Sequence, residues 1–151
     1  MTVEDRLKGL GYELPTPPSP KGAYRPVTRC GNILFTSGTG ANIHGLRHFL
    51  GKVGDTVTLE EAQESARLAL LNNLANIKAE LGSLEHVRVL KLTGYVNSAP
   101  GFNRQPAVVD GASIMLEYLF GENGHHARSA IGVNELPFDL SVEIEMVVAV
   151  E

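Results

Sequence analysis

TLEEAQESARLALLNNLANIKAELGSLEHVRVLKLTGYVN, residues 58–97, holds one long helix followed by one long strand. Thr58 opens the helix. Its hydroxyl can accept the Glu61 N–H while the Glu61 carboxylate reaches back, the reciprocal pattern of a capping box. Ala62, Ala66, Leu70, Leu74, Ile77 and Leu81 then recur at helical spacing. Gly82 stands where a left-handed C-terminal residue belongs. Residues 87–97, VRVLKLTGYVN, follow as a strand.

The same reading extends outward in both directions. Toward the N-terminus, residues 24–30 and 32–37 form two strands around the turn pair Gly31-Asn32. Ser37-Gly38-Thr39-Gly40 ends the second, and residues 38–57 form a long glycine-rich loop of the kind that is usually functional or mobile. Residues 3–11 suit a short amphipathic helix with Val3, Leu7 and Leu10 on one side and Gly11 ending it. Leu14 to Pro20 carries four prolines in seven positions, a stiff extended connector. Residues 1–21 are thus an N-terminal extension, and 22–151 the domain proper.

Toward the C-terminus, Gln105-Pro106 opens a second helix. Val109, Ala112, Met115, Leu116, Leu119 and Phe120 make its apolar stripe, and Gly121 to Gly124 stop it. Residues 127–133 read as a strand, Leu136-Pro137-Phe138-Asp139 as a turn, and residues 140–150 as a last long strand. That strand alternates first (Val142, Ile144 and Met146 against Glu143 and Glu145), then turns apolar on both sides, so both its faces are covered there. The order β-β-α-β-α-β-β predicts an α+β fold with both helices on one face of a mixed sheet. Its other face needs a cover, and a second subunit is the expected one.

Composition narrows the function classes. The 151 residues fit one domain, with 43% hydrophobic and 20% charged residues. A net charge of −4 argues against phosphate-backbone binding, so no nucleic acid is expected as a partner. The lone Cys30 has no disulfide partner and no CxxC mate, which fits a reducing compartment. No apolar run approaches the roughly 20 residues of a spanning helix. We expect a cytoplasmic protein with no membrane partner.

Most local motifs carry no chemistry. GTGANIHG at 38–45 matches neither the P-loop nor GxGxxG. His44, His48, His86, His125 and His126 lack a metal-ligand spacing, so neither metal nor cofactor is expected. Ser113 sits in a helix and misses the G-x-S-x-G elbow. Arg128 and Glu143 remain. A hairpin turning at Leu136-Pro137 would place them opposite one another, with Cβ atoms about 5 Å apart. On a solvated face they would be an ordinary ion pair. Under a partner, the guanidinium fork suits a carboxylate ligand, and a partly desolvated Glu143 suits proton transfer.

Gly22-Ala23-Tyr24, GNILFTSG at 31–38, ARSAI at 127–131, Leu136-Pro137 and VEIE at 142–145 together resemble the RidA/YjgF family of reactive-intermediate deaminases, formerly called endoribonuclease L-PSP. The resemblance runs from about residue 22 to the C-terminus. It implies a chorismate-mutase-like α+β fold, a homotrimer with clefts between subunits, and deamination of 2-aminoacrylate-type enamines and imines to 2-keto acids and ammonia. It implies that Arg128 clamps a substrate carboxylate, Glu143 places water or moves a proton, and Tyr24 reaches the cleft from the neighbouring subunit. Ser37 and Gly38 match the strand end lining the pocket. Ala130 stands where many members carry cysteine, Ser113 roughly where deaminating members carry asparagine, and Thr39 where the family has glutamine. A non-catalytic keto-acid binder using the same cleft is the alternative expectation. RNA cleavage, the older family label, fits the acidic chain less well.

Overall fold

A computed structural model describes all 151 residues. The elements are α1 (Val3–Gly9), β1 (Val27–Cys30), β2 (Ile33–Thr36), β3 (Asn42–Ile43), β4 (Leu46–Arg47), α2 (Leu59–Leu81), β5 (Val87–Asn97), α3 (Gln105–Phe120), β6 (Ala127–Val133) and β7 (Val142–Val150). The expected helix caps are present: Thr58 and Glu61 form the reciprocal box, and Gly82 is left-handed at φ 82°.

Five strands form one mixed sheet in the order β1-β2-β7-β5-β6. The β1–β2 hairpin turns at Gly31-Asn32, with Gly31 at φ 59°. The pair β5–β6 is parallel, joined through α3, and every other pairing in the sheet is antiparallel. Helices α2 and α3 bury their apolar stripes against one face, in a core of 28 residues that includes Leu34, Leu70, Leu92, Leu116 and Ile144. This is the chorismate-mutase-like α+β architecture.

The expected β6–β7 hairpin does not form. β7 crosses past the end of β5 and inserts between β2 and β5, while β6 takes the sheet edge. The reason lies in the side chains. The second half of β7 is apolar on both sides and is best served by a central place, whereas β6 is only half-buried or exposed along its length. Arg128 and Glu143 are therefore not cross-strand neighbours. Arg128 registers with Leu92 on the helix-covered face. Glu143 registers with Tyr95 on the other.

That other face carries no element of the chain and shows Phe35, Tyr95, Ile131 and Val147 among its polar residues. Two further expectations change. Residues 38–57 are not a structureless loop. They hold the β3–β4 hairpin, turning at His44 and Gly45 with φ 52° and 79°, and Val53 pairs by backbone hydrogen bonds with Asn97 and Ala99. In α1, Val3 and Leu7 are buried, but Leu10 is exposed, because it follows the last helical turn.

Candidate active site

Four of the residues singled out from the sequence meet in one cavity of about 570 Å³: Tyr24, Ser37, Gly38 and Glu143. Its remaining wall comes from the proline connector (Pro18 to Pro20), the β3–β4 hairpin, one face of α2, and the turn before β7. The connector thus closes one side of the cavity. Tyr24 lines this cavity together with Glu143 of the same chain. Its hydroxyl accepts the Lys21 N–H at 3.1 Å.

Glu143 is the only acid on the cavity wall. It lies half-buried on β7 and accepts no hydrogen bond from the chain. Burial pushes its carboxyl above the ordinary carboxylate range, and the charge of Glu145 two residues on adds to the effect. Glu145 is itself engaged by the Tyr95 hydroxyl at 2.7 Å, which pushes the Tyr95 phenol up to about 12. A carboxylate that holds its proton into a milder pH range, without a partner, suits proton exchange with a bound molecule. Gly38 makes room for it: a Cβ there would lie 2.9 Å from Glu143 Oε2.

Positioning comes from a polar face of α2 that apolar periodicity does not reveal. Asn73, fully buried, donates to the Ile144 carbonyl at 2.8 Å and to Thr39 Oγ1, while its own oxygen accepts from Thr36 Oγ1. It thereby ties the strand end carrying Gly38 to the strand carrying Glu143. Ser37 donates to the Arg25 carbonyl at 2.6 Å, and this holds the other rim.

Arg128, Ser113 and Ala130 form a separate group behind the sheet. Arg128 Nη1 contacts Asp110 Oδ1 at 2.6 Å and Ser113 Oγ at 3.2 Å. Ser113 Oγ is also 2.9 Å from His126 Nε2, whose Nδ1 meets the Gly124 carbonyl at 2.6 Å. With Nδ1 donating to that carbonyl, Nε2 is the acceptor for Ser113. Ala130 registers with Gly94. Arg128 Nε and Nη2 make no hydrogen bond within the chain. No three of His, Cys, Asp and Glu gather as a metal-binding group. No helix is long and apolar enough to cross a membrane.

The acid-bearing cavity stands on a chorismate-mutase-like scaffold, and that scaffold is one the chain shares with known proteins. The profile of the family described as "YjgF/chorismate_mutase-like, putative endoribonuclease" matches residues 4–147. The chain belongs to this RidA/YjgF family. It is 37% identical over 148 residues to Protein TCP17 of Trypanosoma cruzi, covering 97% of this chain and 92% of that one. It is 31% identical over 138 residues to the 2-iminobutanoate/2-iminopropanoate deaminase of Dermatophagoides farinae, covering 91% and 93%. The crystal structure of Atu1372 from Agrobacterium tumefaciens, a protein with unknown function, superposes with a TM-score of 0.94 at 42% identity, covering 99% of this chain and 92% of that one.

Proposed function

We propose that the protein deaminates small enamine and imine acids, of the 2-aminoacrylate type, to 2-keto acids and ammonia in clefts between the subunits of a homotrimer. The observation that carries this is Glu143: an unpartnered, partly desolvated carboxyl facing a cavity large enough for a metabolite. The 31% identity to a 2-iminobutanoate/2-iminopropanoate deaminase supports it.

The chemistry asks little of the protein. The enamine takes a proton at carbon and becomes an imine. Water then attacks the imine carbon, and Glu143 accepts a proton from that water as the C–O bond forms. The same carboxyl returns the proton to nitrogen. The C–N bond breaks, ammonia leaves, and loss of the hydroxyl proton gives the keto acid. Positioning and proton transfer suffice for so reactive a substrate.

Arg128 is the carboxylate clamp in this reading. Its Nε–Nη2 edge is the geometry that meets a carboxylate with two hydrogen bonds. Since Arg128 and Glu143 lie on opposite faces of one sheet, the reading requires Arg128 of one subunit to face Glu143 of the next. Ala130 and Ser113, where other members carry cysteine and asparagine, favour a second reading: a keto-acid binder without turnover. Ammonia release from enzymatically generated 2-aminoacrylate tests both. A deaminase accelerates release, and Arg128→Ala and Glu143→Gln each lose the acceleration. A binder takes up pyruvate in calorimetry yet leaves the rate unchanged.

A further inference from the structure

The cavity holds more polar capacity than a four-carbon imino acid uses. Arg47, on β4, lines it and has no ionic partner in the chain. Its guanidinium lies over the Phe138 ring, 4.0 Å from the centroid. A cation stacked on an aromatic face keeps its in-plane N–H groups free for a ligand.

The platform is built with some strain. Phe138 and Asp139 take left-handed φ values of 57° and 62°, costly for such side chains, and the Asp139 carbonyl accepts the Gly51 N–H at 2.8 Å. That bond joins the turn carrying Phe138 to the segment carrying Arg47.

Behind Arg47 the wall is short of donors. Asn72 gives its amide hydrogens to the Gly40 and Asn42 carbonyls, at 2.9 and 2.8 Å, which fixes which end of the amide is oxygen. That oxygen has no partner, although Asn72 is buried. The oxygen of Asn76, one turn further along α2, is also buried and unpartnered. Native structures rarely leave such acceptors unmet. Asn42 pairs directly with Arg47 across the β3–β4 hairpin, so the Asn72 bond to the Asn42 carbonyl anchors the hairpin that carries the free cation to α2.

Resting on the reading of this cavity as the substrate site, we propose that Arg47 selects ligands carrying a second anionic group beyond the 2-carboxylate. The substrate class is then the imines of acidic amino acids and their 2-keto dicarboxylate products, rather than the imines of small apolar ones.

Calorimetry with 2-oxoglutarate and 2-oxopentanoate tests this without any turnover. The two probes match in chain length and differ in the distal carboxylate. The wild-type protein is expected to bind 2-oxoglutarate about tenfold or more tightly relative to 2-oxopentanoate. Arg47→Ala should abolish that ratio, Arg47→Lys should keep part of it, and Phe138→Ala should reduce it by freeing the guanidinium. Lys21 also lines the cavity, so Lys21→Ala is the necessary comparison. A ratio near one in the wild type, or a ratio lost in Lys21→Ala and kept in Arg47→Ala, overturns the assignment. Binding preference with no ammonia release sustains the assignment while removing the deaminase reading. Ammonia release with no preference does the reverse.

Discussion

Gly38 lies so close to Glu143 that any side chain at position 38 would meet the carboxyl: an added Cβ falls 2.9 Å from both Cδ and Oε2. The obstacle is the flexible end of a side chain, so Gly38→Ala is relieved by moving the carboxyl and not the backbone. Stability should then change little while catalysis suffers, because a misplacement of about 1 Å at a reacting group can cost about a hundredfold. We expect a melting temperature close to wild type with ammonia release reduced at least about tenfold. An unaltered rate would place Glu143 outside the chemistry.

Glu143 also predicts a pH signature. Burial raises its folded-state value above the ordinary carboxylate range, with Glu145 second. Between the unfolded value, about 4.3, and the raised one, the folded state binds more protons than the unfolded state. Stability from this group is fully present below the unfolded value and is lost as pH rises through the folded value. Glu143→Gln cannot ionise. Its stability relative to wild type should therefore improve between pH 4 and pH 7, while its deaminase activity disappears. Urea unfolding at the two pH values checks this; an equal difference at both would show that burial leaves Glu143 unstrained.

Much of this was legible from residues alone because the long elements obey strong local rules. The capping box at Thr58, the left-handed Gly82 and the alternation along Val142–Met146 each act over a few residues, and each appears as expected. What sequence could not supply is the partner choice of β7. A Leu-Pro turn between two strands reads as a hairpin, but a strand with two apolar faces competes better for the sheet centre than β6 does. The candidate site divides in the same way. Tyr24, Ser37, Gly38 and Glu143 share a cavity, whereas Arg128 lies behind the sheet. Asn72, Asn73 and Asn76 escaped notice because helical periodicity is read in apolar residues, and these three interrupt it.

Asn73 is where stability and the site coincide. It serves Ile144, Thr39 and Thr36 at once, inside the core. Asn73→Ala removes three buried hydrogen bonds and opens a small cavity, while the Ile144 carbonyl keeps the Thr39 N–H, Thr39 Oγ1 keeps the Ala69 carbonyl and Thr36 Oγ1 keeps the Met146 N–H. Each buried hydrogen bond lost costs about 0.5–1.5 kcal/mol and the cavity adds to it, so a total loss of about 2–4 kcal/mol is expected. The urea midpoint should fall at constant m-value. Turnover should fall further than the folded fraction does, because the strand ends bearing Gly38 and Glu143 are less firmly tied. Activity tracking the folded fraction alone would reduce Asn73 to a core residue.

The bare sheet face bears on where Arg128 acts. Phe35 and Ile131 are 48% and 45% exposed there, and Ile131 sits in the same row as Tyr95 and Glu143. Exposed apolar side chains spread over a sheet face that no element of the chain covers suit a contact surface. We expect the wild-type protein to sediment at three times the 16.2 kDa chain mass, and Ile131→Glu, which sets a charge on the bare face, to sediment as a monomer. The monomer should remain folded, since its helix-covered core is untouched, yet lose ammonia release together with keto-acid binding, because Arg128 of one subunit no longer meets Glu143 of the next. A monomer that still turns over its substrate would confine the site to one chain and leave Arg128 as the partner of Asp110 and Ser113 alone.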